Sequence, residues 1–448
     1  MKTFFLKIAD RLRSNFWFLP GLMAAGAVVL ASASVALERR VPARWLRDLT
    51  WVYQGGADGA SAVLETIAGS MITLAGVVFS MTLVALTLAS SQFGPRLLRN
   101  FMRDRSNQVV LGTFVSSFLY CLLVLRTIRR ADEIAFVPHL SVTLGVVFAL
   151  ASLGVLIYFI DHVSVSIQAD RIVAGVYAEL VEGIERLFTQ EIGVGRPGEA
   201  RAALEGVLPP EFEREARAIL SEVDGYVQFL DAGALLTLAT EEDLLIRLEF
   251  RPGDYVVSGT SVAMVWPGDR ADERLSARVI DAFSIGDQRT AAQDIEFTVN
   301  QLVEIAVRAL SPGINDPFTA ITCVDRLGSA LCRIARREMP SPYRRDSENI
   351  LRLVTPALTF PSIVDAAMNQ IRQYGRSSTA VTVRLLDAIT SVAACVHEAD
   401  DREALRRQAS MIRRGARAGL QEEEDRLAVE ERFERATRAL EMGLVQKS

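Results

Sequence analysis

The sequence IAGSMITLAGVVFSMTLVALTLASSQFGPRLLRNFMRDR, at residues 67–105, decides the fold of this chain. Its first part, from Ile67 to Ala89, contains no charged residue, and about 20 apolar residues in a helix are enough to cross the hydrocarbon core of a bilayer. After Gly94-Pro95 the stretch becomes short, basic and amphipathic. It therefore predicts a membrane-spanning helix followed by a cationic segment at the membrane surface.

Three further apolar runs of similar length flank this helix. We predict a transmembrane domain at residues 1–162, with spans at about 17–37, 67–89, 109–125 and 136–160. The first run follows a basic start, so a signal peptide is an alternative, but the length of the run favours an uncleaved helix. Residues 38–66 are expected to form a loop, and the short connection at 126–135 predicts an antiparallel hairpin of the last two spans.

Basic residues near the ends of the spans give the predicted orientation. The N-terminal segment and the connection at residues 90–108 carry eight of them, against seven in the two connections on the other side. Because cytoplasmic segments carry the excess of Lys and Arg, both termini and the large C-terminal part are predicted to be cytoplasmic.

Composition excludes several classes of protein. The net charge of −5 over 448 residues argues against nucleic-acid binding. Four cysteines at wide spacing and three scattered histidines form no metal-binding motif, so we predict free thiols in a reducing compartment and no metal.

Beyond the spans, the sequence predicts a mixed α+β soluble part. We predict a helical connector at residues 163–222 (helices over 163–190 and 199–222), a β-rich domain at 223–283 and a helical C-terminal domain at 284–448. Helices in the last domain are expected at about 288–310, 317–337, 343–353, 361–374, 379–397 and 401–443. The β-rich segment is similar in shape to the barrel-sandwich core of biotinyl- and lipoyl-type domains. The turn at Thr240-Glu241-Glu242-Asp243 lacks the lysine that attachment needs, so no cofactor is predicted.

Hydroxyl side chains form a stripe along the second span, at steps of three, seven, seven and four residues: Ser70, Thr73, Ser80, Thr87 and Ser91. Such a stripe has two interpretations. Small residues allow membrane helices to pack closely, and hydroxyls can also line a hydrated path. The candidate hinge at the end of this helix is Gly94 with Pro95, because proline removes a hydrogen-bond donor and bends the chain.

The densest polar cluster, at residues 288–317, predicts a helix, a turn and a capped helix. Gln301, Glu304 and Arg308 are expected opposite the apolar face of the first helix, and Glu304 precedes Arg308 in the favourable order for an ion pair. Gly313 is expected to take a positive φ in the turn. Either Asn315 or Asp316 can cap the helix that starts at Pro317. The alternative interpretation of this cluster is a coupling joint to the membrane domain.

No catalytic motif is present. The chain has no nucleophile elbow, phosphate-binding loop, zinc-protease motif or dinucleotide fingerprint, so we predict that it is not an enzyme. Asp294 and Glu296 are expected to be exposed helix residues, as most carboxylates are.

Three motifs resemble a bacterial family described only as predicted membrane proteins of unknown function. They are SQFGPRLLRNFMRDR at 91–105, RPGDYVVSGTSVAMVWP at 251–267 and IGDQRTAAQDIEFTVNQLVEIAVRALSPGINDPFTA at 285–320. The resemblance covers nearly the whole chain. It implies an inner-membrane protein with the same layout and brings no activity, cofactor or catalytic residue.

The leading hypothesis is a non-enzymatic, channel- or transporter-like membrane protein with a cytoplasmic regulatory domain. Its predicted partners are the lipid bilayer, further copies of itself, because four spans make a small bundle, and a small ion or solute. The alternative is a membrane-anchored scaffold of the cell envelope, suggested by the charged C-terminal helices. Ion flux in liposomes distinguishes the two.

Overall fold

The computed structural model describes residues 17–40, 52–94, 105–129, 136–189 and 207–445. The chain divides into two compact units, residues 1–171 and 172–448. We call them the membrane unit and the soluble unit, and each is described by itself.

Four long apolar helices make up the described part of the membrane unit: α1 (Phe18–Glu38), α2 (Ala57–Phe93), α3 (Arg105–Leu125) and α4 (His139–Ser166). Each is long and apolar enough to cross a membrane, which confirms the four predicted spans. The predicted loop at 38–66 is wrong after Gly56, because α2 begins at Ala57. Asp58 in its first turn favours a helix N-terminus through the helix dipole.

Helix α3 packs against the other three helices of this unit. Its buried side chains include Phe114, Tyr120 and Val124, each completely enclosed. The buried face of α2 carries mostly small residues, such as Ala68, Ala75 and Ala85. Small side chains allow close approach where lipid offers no competing hydrophobic force, so the four helices pack as one bundle.

After α5 (Ala169–Thr189) and the short α6 (Phe212–Glu215), the soluble unit contains two sheets. Their strands are β1 (Arg217–Leu220), β2 (Gly225–Leu230), β3 (Leu245–Leu248), β4 (Tyr255–Val256), β5 (Ser261–Trp266), β6 (Phe283–Gly286), β7 (Tyr343–Arg345) and β8 (Leu351–Val354). One sheet has the order β1-β5-β3-β8-β7 and the other β4-β2-β6. Both contribute to one hydrophobic core, which includes Val227 of β2 and Ile246 of β3. Two turns of this part have glycines with positive φ, Gly253 at 100° and Gly259 at 83°.

The β-rich segment also contains two helices that were not predicted from the sequence, α7 (Ala232–Glu241) and α8 (Glu273–Asp281). Each starts at an aspartate whose side chain accepts from a backbone N–H of the first turn, Asp231 for α7 and Asp272 for α8. Because α7 ends at Glu241, the supposed carrier turn at residues 240–243 is a helix C-terminus.

Two predicted helices are wrong because their residues form strands. Residues 343–353 form β7 and most of β8, and β8 pairs in parallel with β3, with Ile246 opposite Leu353. Residues 217–220, predicted to be helical, form β1, which pairs with β5. In both cases long-range pairing overrides a charged local pattern that resembles a helix.

The helical part of the soluble unit consists of α9 (Ile295–Ala309), α10 (Pro317–Ala335), α11 (Phe360–Tyr374), α12 (Thr379–Ala393), α13 (Ala399–Gly419) and α14 (Glu423–Val445). The single helix predicted at 401–443 is therefore two helices, with a break after Gly419. The pairs α9 and α10, α10 and α12, and α12 and α14 pack in sequence. Several arginines of α13 bind neighbouring helices: Arg407 lies 2.7 Å from Asp365 of α11, and Arg413 pairs with Glu430 of α14.

Candidate functional site

The five hydroxyl side chains of the predicted stripe lie on the outside of α2. With 3.6 residues per turn, they fall opposite the residues that α2 buries against α3 and α4. All five are exposed: Ser70, Thr73, Ser80, Thr87 and Ser91. The stripe therefore does not point into the bundle of its own chain. Val78 and Ala85, on the other side of the helix, are buried.

Hydrogen bonds within α2 partly satisfy these hydroxyls. Thr73 donates to the carbonyl of Gly69 at 2.8 Å, and Thr87 donates to that of Leu83 at 2.9 Å. Such a bond uses the hydroxyl hydrogen and leaves the oxygen able to accept.

Two glycines lie on the same side of the helix as these hydroxyls. At Gly69 and Gly76 no atom lies within 4 Å of the position that a Cβ would take. With Thr73 and Ser80 they repeat the spacing of small residues that lets two membrane helices approach closely. We call Gly69, Thr73, Gly76, Ser80 and Thr87 the outer face of α2.

A second polar group, inside the bundle, was not predicted from the sequence. The carboxylate of Glu38, at the end of α1, accepts from the backbone N–H of Leu140 at 2.5 Å and from Ser141 of α4. Tyr120 of α3 donates to the carbonyl of Ser141 at 3.1 Å and lies 3.3 Å from the hydroxyl of Ser34. An acidic residue directly after an apolar run was the available signal. These hydrogen bonds connect α1, α3 and α4 at one end of the bundle.

At the predicted hinge, α2 ends at Phe93 and Gly94 follows with a φ of 110°. This left-handed conformation favours glycine, because a Cβ would clash with the backbone. Pro95, the other half of the predicted hinge, lies outside the described residues.

The predicted joint at 288–317 is helix, turn and capped helix, but its first helix begins at Ile295 and not at 288, because Asp294 caps it there. Asp316 caps α10 by accepting from the N–H groups of Phe318 and Thr319, both at 3.1 Å, and Pro317 occupies the first turn. Glu304 and Arg308 form the expected pair at 3.4 Å.

Two details of this joint differ from the prediction. Gly313 does not have a positive φ, whereas Asn315 does, at 51°. Asparagine tolerates this conformation better than most residues, so the positive φ of the turn falls at Asn315 and not at Gly313. Gln301 is buried, not exposed opposite the apolar face, because α9 packs against both α10 and α11.

A cavity of about 170 Å³ lies within the soluble unit. Its walls come from α5, the loop before α9 and the segments on either side of the β7–β8 hairpin. The apolar part of the lining comprises Leu187, Leu230, Phe250, Pro252, Pro342 and Leu358.

Charged residues line the same cavity, and its two carboxylates are already paired. Asp294 lies 2.7 Å from Nη2 of Arg289 and caps α9 by accepting from the N–H of Phe297 at 3.0 Å. Burial raises the pKa of Asp294, although Arg289 opposes the shift. Glu296 accepts from Arg251 at 2.8 Å and from the hydroxyl of Ser362 at 3.1 Å. The prediction that Asp294 and Glu296 are exposed is wrong.

Arg344 of β7 also lines the cavity and is the unpaired charge in it. Its side chain forms no hydrogen bond or ion pair with any residue in the described ranges. Burial lowers the pKa of its guanidinium. No sequence pattern pointed to this residue, since it lay within a predicted helix.

The described residues contain no group of three or more His, Cys, Asp or Glu side chains suited to a metal ion.

Comparison with known proteins gives the family but no activity. Residues 13–391 match the family described as "Predicted membrane protein (DUF2254)". Uncharacterized proteins of Mycobacterium bovis and Mycobacterium tuberculosis are each 34% identical to this chain over 440 residues, which is 97% of this chain and 82% of theirs. No solved structure matches the chain significantly. The match covers all four membrane helices and most of the soluble unit, and on this ground the chain belongs to the DUF2254 family of membrane proteins.

Proposed function

We propose that this protein is a non-enzymatic, channel-like protein that works as a homo-oligomer. The outer faces of α2 from several copies would line a path for a small ion or solute. The observation that supports this proposal is the exposure of five hydroxyls along α2, on the side opposite the residues that α2 buries against the other described helices of the membrane unit. The proposed location is the bacterial inner membrane, with the soluble unit as a regulatory part in the cytoplasm.

Physical chemistry favours an arrangement between copies. Within one chain, the core of the bundle is filled by side chains such as Phe114, Tyr120 and Phe159, each with no exposed surface. Glycines on the outer face of α2 permit close helix contacts at the level of Gly69 and Gly76. The hydroxyl oxygens keep acceptor capacity for water or a cation.

The scaffold alternative is supported less well. It rested on the charged C-terminal helices as a partner surface. Several of their arginines instead pair within the soluble unit, as Arg407 does with Asp365 and Arg417 with Glu430 at 3.1 Å. These pairs leave less of the charge for a partner protein.

Cysteine substitution tests the proposal in membranes. With Cys121 and any accessible soluble cysteine replaced, Ser80→Cys and Thr87→Cys should react with a membrane-impermeant thiol reagent. Buried controls, Val78→Cys and Ala85→Cys, should not react. Leu150→Cys of α4 is the control for lipid exposure, because Leu150 is 66% exposed on the unit but is apolar. It should also stay unmodified.

Flux in reconstituted liposomes is the second measurement. Gly76→Ile should disturb contact between copies and reduce ion flux, whereas Gly154→Ile, at a glycine of α4 with equally open surroundings, should not. Protection of all outer-face cysteines, together with no flux in the unmodified protein, would remove the channel proposal and favour the scaffold.

A further inference from the structure

The cavity of the soluble unit has the properties of a binding site that the proposed channel function does not use. It combines an apolar wall with a guanidinium, that of Arg344, which has no partner among the described residues. An unpaired charge removed from water is costly unless something compensates for it. A bound anion would therefore stabilise the guanidinium of Arg344.

Electrostatics within the cavity favour one additional negative charge. Asp294 and Glu296 would repel an anion if they were unpaired. Arg289 lies 2.7 Å from Asp294, and Arg251 lies 2.8 Å from Glu296, so both carboxylates are neutralised locally. The guanidinium of Arg344 is then in excess. A planar guanidinium binds a carboxylate through two parallel hydrogen bonds, which suits a monoanion.

The size of the cavity limits the rest of the ligand. An apolar cavity of about 150 Å³ is known to bind benzene. At about 170 Å³, this cavity accommodates an apolar body of similar size. Four prolines in its lining, Pro252, Pro340, Pro342 and Pro356, restrict the backbone of the walls and favour a preformed shape.

We propose that this cavity binds a small organic carboxylate with a compact apolar body, its carboxylate on Arg344 and its body against Leu230, Phe250 and Leu358. The ligand would be comparable to benzoate in size and charge. The ligand would contact α5, β7 and the segment before α9 at once.

Binding is tested with the full-length protein in detergent, with benzoate as the probe. Titration calorimetry should show saturable binding, and benzoate should raise the melting temperature, since a ligand that binds only the folded state stabilises it. Benzamide, which has the same body without the charge, and acetate, which has the charge without the body, should bind at least about tenfold more weakly.

Substitution of Arg344 separates binding from folding. Arg344→Gln should weaken benzoate binding at least about tenfold and should not lower the melting temperature of the unliganded protein, because it removes an uncompensated charge that is partly shielded from water. Arg345→Gln, at the next residue of β7, does not line the cavity and should bind benzoate normally. The proposal is overturned if benzoate does not bind at millimolar concentration, if benzamide binds equally well, or if Arg344→Gln binds like the unmodified protein.

Discussion

The carboxylate of Glu38 accepts two hydrogen bonds from Ser141, one from its backbone N–H at 3.1 Å and one from its hydroxyl at 2.7 Å. Ser141 lies in the first turn of α4, where N–H groups have no partner within the helix. The end of α1 thus caps the start of α4, and the positive end of the helix dipole favours this carboxylate.

Removal of this carboxylate should destabilise the membrane unit. Glu38→Ala leaves buried N–H and hydroxyl groups without an acceptor, at a cost of about 1–3 kcal/mol. The melting temperature of the purified protein in detergent should fall clearly. Glu65→Ala, at an exposed acidic residue of α2, is the matched control and should change it little. Equal melting temperatures for the two variants would show that the hydrogen bonds of Glu38 contribute nothing.

The turn between α9 and α10 should be sensitive at Asn315 and tolerant at Gly313. Asn315 has a φ of 51°, where a β-branched residue is strained, so Asn315→Val should cost about 1–3 kcal/mol of stability. Gly313 lacks a positive φ and has open space where a Cβ would be, so Gly313→Val should have a small effect. Thermal unfolding of both variants shows which substitution costs more stability. A greater loss of stability for Gly313→Val than for Asn315→Val would contradict the turn geometry.

Burial of Cys323 should make the stability of the soluble unit depend on alkaline pH. Burial raises the pKa of this thiol from the ordinary 9.0 to about 12. The folded state then holds its proton more tightly than the unfolded state. The thiol's contribution to stability is complete below about pH 9 and is lost as the pH rises towards 12.

Between these two pH values, the free energy of unfolding should fall by up to about 1.4 kcal/mol per pH unit. Melting temperatures measured from about pH 8 to about pH 10 should fall less steeply for Cys323→Ala than for the unmodified protein. Parallel slopes would mean that the pKa of the Cys323 thiol is the same in the folded and unfolded states.

The proposed orientation predicts where a reporter domain becomes active. An enzyme that folds only in the periplasm should be inactive when fused after Ser448, and active when fused after Arg126, which follows the third span. Activity after Ser448 would reverse the orientation. The assignment of the four spans would not change, because it depends on helix length and composition and not on orientation.

Local sequence was sufficient for the membrane helices and insufficient for the cavity. A span needs only one long apolar run, so α1 to α4 could be predicted within a few residues at most ends. Caps are equally local, which is why Asp316 was among the predicted residues. Arg344 and Glu296 meet in one cavity only after β7 joins the sheet through β8, and no short-range pattern encodes that pairing.

The parallel pairing of Ile246 with Leu353 has a consequence for synthesis of the chain. When a ribosome has made β1 to β6, strand β3 still has an open edge, because its neighbour β8 lies far downstream. An unpaired edge strand is a template for wrong partners. Cotranslational folding of this sheet must therefore wait until residues beyond Val354 have emerged. A chain truncated after Gly286 would carry that edge permanently and should aggregate rather than fold as a separate module.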